Sequence, residues 1–239
     1  MKIKKSAQRP FWNLAMVLSA SVLLLAGCAR PVVKSPSALP ALRPLITSGA
    51  TQYTVSASDS DVRFLVYRAG PLAAFGHNHV IHATVITGNV YLNSKFALSG
   101  FGLTLPVKDF RVDEPAQRAM EGADFAEQPS AAAISGTTHN MLGPGVLDAA
   151  KYPEIRIRSV KVGGSPAAPV VTVRITIHGV PQDVRVPVML KLSGPKLTVS
   201  GKFSVKQTDF GMIPFSILGG GLQVANTVKV HFRIVAERK

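Results

Sequence analysis

The sequence predicts an all-β protein, a closed antiparallel barrel that carries a short helical insert. Apolar and polar residues alternate over 170–177, 184–191 and 228–234, and less regularly over 62–67. Strict alternation with branched side chains is typical of strands that have one apolar and one solvated face. Turn signals separate these segments. With about eight or more long strands, closure into a barrel removes the exposed edges.

Further strands are expected over 79–92, 96–105, 154–162 and 196–206. Short turns between long strands favour antiparallel pairing. The predicted turns are Gly88-Asn89, Gly163-Gly164, Gly179-Val180-Pro181 and Gly194-Pro195.

Residues 113–151 depart from the alternation, because they are rich in Ala, Glu, Gln and Met. This composition predicts one or two short helices. The acidic residues there are expected to form a solvated face, in preference to a pair of catalytic carboxylates. They are Asp113, Glu114, Glu121, Asp124 and Glu127.

The N-terminus has the pattern of a bacterial lipoprotein signal. Residues 1–10 carry four basic and no acidic side chains, and 11–27 are almost wholly apolar up to Leu25-Ala26-Gly27-Cys28. A basic head, an apolar core and small residues before the cleavage point are typical of a signal peptide. Leu-Ala-Gly-Cys resembles the lipobox, which implies removal of 1–27 and lipidation of Cys28. An uncleaved membrane helix is the alternative.

Residues 28–50 contain four prolines among Ser, Ala and Gly, and we expect an extended tether before the domain at 51–239. Several acyl chains on one residue give stable membrane anchoring. Ala29 stands where an inner-membrane retention signal often places Asp. We therefore expect a lipoprotein of the cell envelope, held in the outer membrane and facing the periplasm.

Removal of residues 1–27 lowers the formal net charge from +14 to +10, because four basic residues and no acidic ones are lost. A basic protein suits anionic lipid head groups or nucleic acid. We expect no nucleic-acid partner, since the basic residues are scattered and a secreted chain does not meet DNA or RNA. Cys28 is the only cysteine. Once acylated, it leaves no thiol for a disulfide, a zinc site or a nucleophile.

Gly76-His77-Asn78-His79 is the most conspicuous local motif. On a strand, His77 and His79 point to one face, as two imidazoles must to share a metal. A third ligand would come from His139, His178 or Asp209. We prefer a structural or polar role at the mouth of a pocket, because strand histidines often only hydrogen-bond to their neighbours. We predict no metal and no cofactor.

Catalysis has little support, because the chain has no Gly-x-Ser-x-Gly element, no Gly-rich phosphate loop and no free thiol. We therefore predict a protein that is not an enzyme. In Thr208-Asp209-Phe210-Gly211-Met212, a buried Asp209 is expected to accept backbone N–H groups and fix a chain reversal. Phe210, Phe215 and Leu218 are also candidates for the opening of a pocket.

Four motifs resemble the YceI-like family, in the family's order and over nearly all of 52–237. The family's usual Arg-Asp-x-His-Leu element is not recognisable, and Thr138-His139-Asn140-Met141-Leu142 stands nearest to it. The matching motifs are Tyr53-Thr-Val leading into Val62-Arg-Phe-Leu-Val, Lys151-Tyr152-Pro153-Glu154-Ile155-Arg-Ile-Arg-Ser159, Ile175-Thr-Ile-His-Gly179-Val180-Pro-Gln-Asp-Val184, and Thr208-Asp209-Phe210-Gly211.

The resemblance implies an extended, lipocalin-like, eight-stranded antiparallel barrel in the periplasm whose lumen holds a long polyisoprenoid or similar lipid. The expected partners are a long-chain isoprenoid or quinone-like lipid and the membrane. A histidine-dependent metal carrier or enzyme and a solid-barrel interaction module are the alternatives. The strand period selects as candidate lumen residues Phe64, Val66, Phe101, Leu103, Phe203, Val205, Phe232 and Ile234.

Overall fold

The computed structural model describes residues 39–238. The predicted signal peptide 1–27, Cys28 and the first part of the tether lie outside the described residues. Within 39–238, neither α-helix combines the length and hydropathy that crossing a membrane requires.

The described chain forms fourteen strands and two α-helices. The strands are β1 (Ala50–Val55), β2 (Asp61–Val66), β3 (Arg68–Ala69), β4 (His79–Ala83), β5 (Thr87–Asn93), β6 (Gly100–Pro106), β7 (Phe110–Val112), β8 (Glu154–Ser165), β9 (Ala168–Ile177), β10 (Val180–Ser193), β11 (Lys196–Lys206), β12 (Ser216–Ile217), β13 (Leu222–Val224) and β14 (Thr227–Glu237). The helices are α1 (Pro115–Ala119) and α2 (Ala131–Leu142), both inside the predicted helical insert.

Eight strands close into the predicted antiparallel barrel. Their order is β1-β5-β6-β8-β9-β10-β11-β14, and β14 pairs back to β1 through Val55 and Ala236. Closure leaves no free edge in this part of the sheet, which is the physical reason for predicting it.

Three of the barrel's strands are each interrupted once and continue as a second, shorter strand: β1 is followed by β2, β5 is preceded by β4, and β6 is followed by β7. β2 follows β1 along the same partner β14, β4 lies beside β2, and β7 lies beside β4. The predicted strand 79–92 is accordingly two strands, with residues 84–86 between them. These short continuations extend the barrel at one end, where α2 contacts β7.

Two predicted turns are confirmed and two are displaced. His178 and Gly179 turn the chain with φ of 52° and 74°, and residues 194–195 form the next turn. Gly88 instead lies inside β5. Glycine is needed there because a Cβ would stand 2.1 Å from the carbonyl oxygen of Gly102 on β6. Gly163 and Gly164 belong to β8, and the turn follows at 166–167.

The end of the barrel opposite α2 is closed by side chains. Tyr53, Leu197 and Ala236 are each no more than 3% exposed and form a cluster that Val90 and Val199 join. The barrel is therefore sealed at this end by ordinary apolar packing.

The last part of the predicted tether lies against the barrel wall. Arg174 donates from Nη1 to the Pro40 carbonyl at 2.6 Å, and Arg158 donates from Nη2 to the Arg43 carbonyl at 2.7 Å. Asp183 holds the Arg174 guanidinium with two further bonds of 2.7 and 2.9 Å. Residues 40–43 thus cross β8 and β9 on the outside.

Candidate functional site

The centre of the barrel contains a cavity of about 110 Å³. Every residue that lines it is Val, Leu, Ile or Phe. Because each wall strand alternates, its apolar side chains face this space while its polar ones face outward. The lumen is therefore a purely apolar site.

Seven of the predicted lumen residues line this cavity. Phe64, Phe101, Phe203 and Phe232 are only partly buried although they point into the barrel, as expected beside an open space. Phe203 and Phe232 meet edge to face at 6.1 Å between centroids. The seven are Phe64, Phe101, Leu103, Phe203, Val205, Phe232 and Ile234.

A second cavity of about 310 Å³, here called the outer chamber, lies at the α2 end. Val66 lines it, one inward position beyond Phe64 on β2, and Gln207 lines it two residues after Val205. Inward positions on a strand are about 6.6 Å apart. The lumen and the outer chamber thus follow one another along the same two walls. His77, His79 and Phe215 also line the chamber.

A buried carboxylate, Asp113, holds His79 at the chamber wall. Its Nδ1 lies 2.6 Å from Oδ2 of Asp113, whose side chain is 0% exposed. Oδ1 of Asp113 accepts the Val80 N–H at 2.9 Å and a bond from Nη1 of Arg118, which is 3% exposed. Nε2 of His79 lies 3.3 Å from the hydroxyl of Thr137, which also lines the chamber.

Asp113 is ionised in this setting. Burial by itself raises the pKa of a carboxyl group. The hydrogen bonds from His79 and the Val80 N–H, the charge of His79 and the bond from Arg118 together outweigh burial and hold the pKa of Asp113 below its ordinary value of 3.8. An ionised carboxylate can only accept hydrogen bonds, so Nδ1 of His79 carries a hydrogen.

His77 lies closer to solvent. Its Nδ1 is 3.6 Å from Oε1 of Glu127, and its ring stands 6.3 Å from that of His79. Among residues 39–238, no three His, Cys, Asp or Glu side chains are arranged to hold a metal ion. The suggested third ligands His139, His178 and Asp209 thus form no such group with the pair.

The expectation of a solvated acidic face is wrong for two residues. Asp113 is fully buried, and the Glu121 side chain is 4% exposed because it meets Arg63 Nε at 2.6 Å and His231 Nδ1 at 2.8 Å. Sequence reasoning missed Arg118 as the partner of Asp113. The only available signal was the spacing of the two residues, because Asp113 lies just before a short helix and Arg118 follows five positions later inside it.

Residues 208–218 differ from expectation in three ways. Asp209 is exposed, and the turn is held instead by Asn226, whose Oδ1 accepts the Thr208 N–H at 3.0 Å. Phe210 is 1% exposed in the core and lines neither cavity. Leu218 also lines neither cavity and is 72% exposed.

These features match a known family. The model of the YceI-like domain matches residues 53–236, which is most of the chain. The chain belongs to the YceI-like family. No curated protein matches the sequence closely enough to be counted as a relative.

Two solved structures are similar to this chain. BcnA of Burkholderia cenocepacia superposes with a TM-score of 0.56 at 19% identity, covering 76% of this chain and 99% of its own. The YCEI protein of Campylobacter jejuni gives a TM-score of 0.48 at 13% identity, over 66% and 84% of the two chains. At this identity, the BcnA match shows a common fold.

Proposed function

We propose that this protein is a lipid-anchored binding protein of the outer membrane that holds a long-chain isoprenoid or quinone-like lipid in its barrel lumen, facing the periplasm. The observation that carries the proposal is the apolar cavity of about 110 Å³ inside a closed YceI-like barrel. The chemistry is binding alone, driven by removal of apolar surface from water at about 25 cal/mol per Å².

The lumen must widen to take such a ligand. An apolar cavity of about 150 Å³ accommodates one benzene ring, so a cavity of about 110 Å³ holds only a short part of a lipid chain. We expect rotation of the four partly buried phenylalanines, of which Phe203 and Phe232 meet edge to face, to supply the additional volume. An isoprenoid supplies branched methyl groups that fit between such rings.

Membrane attachment rests on the sequence. Cys28 follows an apolar segment and small residues, and the described domain begins only after a proline-containing stretch. In this proposal, the tether connects the acylated Cys28 to the domain and holds the barrel on the periplasmic side of the membrane.

Native mass spectrometry of the full chain, purified from the cell envelope in mild detergent, tests the proposal. We expect an additional mass that matches an isoprenoid or quinone lipid, retained in the native spectrum and lost on denaturation. The covalent acyl group on Cys28 provides an internal control, because it stays after denaturation. A chain that carries no lipid, and that takes up neither geranylgeraniol nor ubiquinone when offered them, would contradict the proposal.

A further inference from the structure

Two exposed segments form one unit outside the barrel, here called the paired loops. They are residues 68–76, which contain β3, and residues 213–224, which contain β12 and β13. These three strands hydrogen-bond into a small sheet of their own. The Ile213 N–H donates to the Gly145 carbonyl at 3.0 Å, which holds the sheet beside the chain that follows α2. The paired loops are therefore a single surface.

The paired loops carry much of the exposed apolar surface. Of the twelve large apolar side chains that are exposed in residues 39–238, six lie on these loops. Phe75 on the first loop and Leu218 on the second are 80% and 72% exposed. The six are Leu72, Phe75, Ile213, Phe215, Ile217 and Leu218. Single exposed apolar residues are ordinary, but a cluster of this size marks an interaction surface.

Leu218 is exposed on strained backbone. Its φ is 53°, in the left-handed region that favours glycine, and Gly219 and Gly220 follow with φ of 62° and 93°. Leu218, like Leu72 and Ile217, lines neither the lumen nor the outer chamber, so a ligand in either cavity leaves it exposed. Packing within the chain does not offset this strain. Strained residues of this kind persist where they serve a function.

The paired loops carry no carboxylate. Arg68 is their only charged residue, and neither Asp nor Glu occurs in the two segments. A carboxylate that entered a membrane interface would lose its hydration and meet the negative surface of anionic lipids, whereas a basic side chain is attracted to that surface. The composition of the paired loops thus favours a lipid bilayer over a basic protein as their partner.

The anchor can reach the surface that these loops would meet. Pro40, held by Arg174 on the outside of β9, follows Cys28 by twelve residues. Twelve residues span at most about 40 Å. Arg174 lies four positions before His178, or about 13 Å along a strand. A Cβ on Gly211, just before the second loop, would stand 3.9 Å from Nδ1 of His178. Acyl chains on Cys28 and the paired loops can therefore enter one membrane.

We propose that the paired loops are a docking surface for the lipid bilayer that holds the anchor. Their apolar side chains enter the interface to a depth of about 5–10 Å, as the apolar face of an interfacial helix does, and turn the α2 end of the barrel toward the membrane. This rests on the anchoring part of the proposed function and is independent of any lipid in the lumen.

Tryptophan reporters test the docking. Trp12 is the only tryptophan of the chain and lies in the predicted signal peptide, so the mature chain has none. Phe75→Trp and Leu218→Trp place one reporter on each loop. Leu192→Trp is the matched control, because Leu192 is also exposed but lies at the end of β10, near the closed end of the barrel. The acylated chains are reconstituted in vesicles of phosphatidylethanolamine and phosphatidylglycerol, with and without brominated acyl chains.

We expect both loop reporters to emit at shorter wavelength in vesicles than in detergent-free buffer and to be quenched by the brominated lipids. Bromine close to the head groups should quench more strongly than bromine at the chain ends, since the expected depth is shallow. The Leu192→Trp reporter should show neither the shift nor the quenching.

A second change locates the apolar contact. Phe75→Asp, added to Leu218→Trp, should abolish the quenching, because it places a carboxylate where the interface requires an apolar side chain. Leu192→Asp, added to the same reporter, should leave the quenching unchanged. Both changes are at exposed positions, so we expect both proteins to fold.

The other outcomes overturn the docking surface. Loop reporters that are neither shifted nor quenched show that the loops stay in water, and the lipid-binding function then stands. Equal quenching of the Leu192→Trp reporter shows adsorption without a preferred face. A shift without quenching by bromine shows that a second copy of the chain covers the loops.

Failure of the anchor is recognised separately. Denaturing mass spectrometry that finds no acyl group on Cys28 contradicts the anchoring part of the proposed function. The loops are then tested by sedimentation of the same chain with the same vesicles. Binding that Phe75→Asp weakens at least about tenfold supports docking, since burial of one large apolar side chain contributes that much. A chain that does not sediment with the vesicles overturns it.

Discussion

A variant with one larger side chain in the lumen distinguishes a barrel that holds a ligand cavity from a barrel with a solid core. Val173 lines the cavity from the middle of β9 and is 6% exposed. In a well-packed core, a small-to-large change costs about 1–3 kcal/mol. At about 24 cal/mol per Å³, filling the whole 110 Å³ of the lumen returns about 2.6 kcal/mol, and the larger ring fills a part of it and returns that share. The two terms offset each other, so we expect Val173→Phe to leave the free energy of unfolding within about 1 kcal/mol of wild type.

Val80→Phe is the matched control, because it makes the same change in a filled space. Val80 is 0% exposed and packs with Leu65 and Phe125 in a second cluster outside the barrel wall. With no cavity to fill, it should lose the full 1–3 kcal/mol, or roughly 2–4 °C of Tm per kcal/mol in a domain of this size.

Thermal unfolding and native mass spectrometry of both variants complete the test. Val173→Phe should unfold near the wild-type Tm and carry no lipid, whereas Val80→Phe should unfold earlier and still carry lipid once folded. Equal destabilisation by the two variants, with no lipid in wild type, would refute the argument and show that the barrel is filled.

Three further predictions concern the lumen wall, the buried ion pair and the anchor. Phe101→Ala should cost less than the 3–5 kcal/mol typical of Phe→Ala in a filled core, while lipid retention measured by mass spectrometry falls; a full-size loss of stability would contradict this. Asp113→Asn leaves Arg118 buried without its carboxylate and should cost about 3–5 kcal/mol at pH 7, measured by urea unfolding. Because the folded-state pKa of Asp113 lies below 3.8, its contribution is complete above that value and is lost as the pH falls through the lower folded pKa. The difference between wild type and variant should therefore shrink only below about pH 4, and a difference that is constant with pH would count against the ion pair. Cys28→Ser should abolish labelling with palmitate and release the chain from the membrane fraction, so undiminished label would exclude Cys28 as the acylation site.

The sequence predicted strands most reliably where a strand has one solvated and one apolar face. Alternation over 170–177, 184–191 and 228–234 lies inside β9, β10 and β14. Seven of the side chains that the same rule selected line the cavity, because the direction of a strand side chain depends on its position alone. Family motifs are also explained by packing. A Cβ on Gly179 would stand 2.4 Å from the Tyr152 ring, so the two motifs that hold these residues fit together.

The buried polar groups that hold His79 at the outer chamber could not be predicted in the same way. Asp113 and Arg118 lie in a stretch whose composition indicates a solvated helical face, and nothing local distinguishes a buried pair from an exposed one. Their burial depends on β4, which follows β2 and brings His79 to Asp113. Gly88 likewise resembles a turn residue until the approach of Gly102 on β6 is known.

The sequence by itself thus determined the fold class, the strand faces and the expectation of a lipid anchor, since period, composition and the N-terminal pattern are properties of short segments. The tertiary structure alone decided that the lumen retains an apolar cavity and that a second chamber with a basic wall follows it. Cavity volume and charge pairing depend on distances between residues far apart in the chain. His79 and Asp113 are 34 positions apart, and their contact exists because β4 pairs with β7.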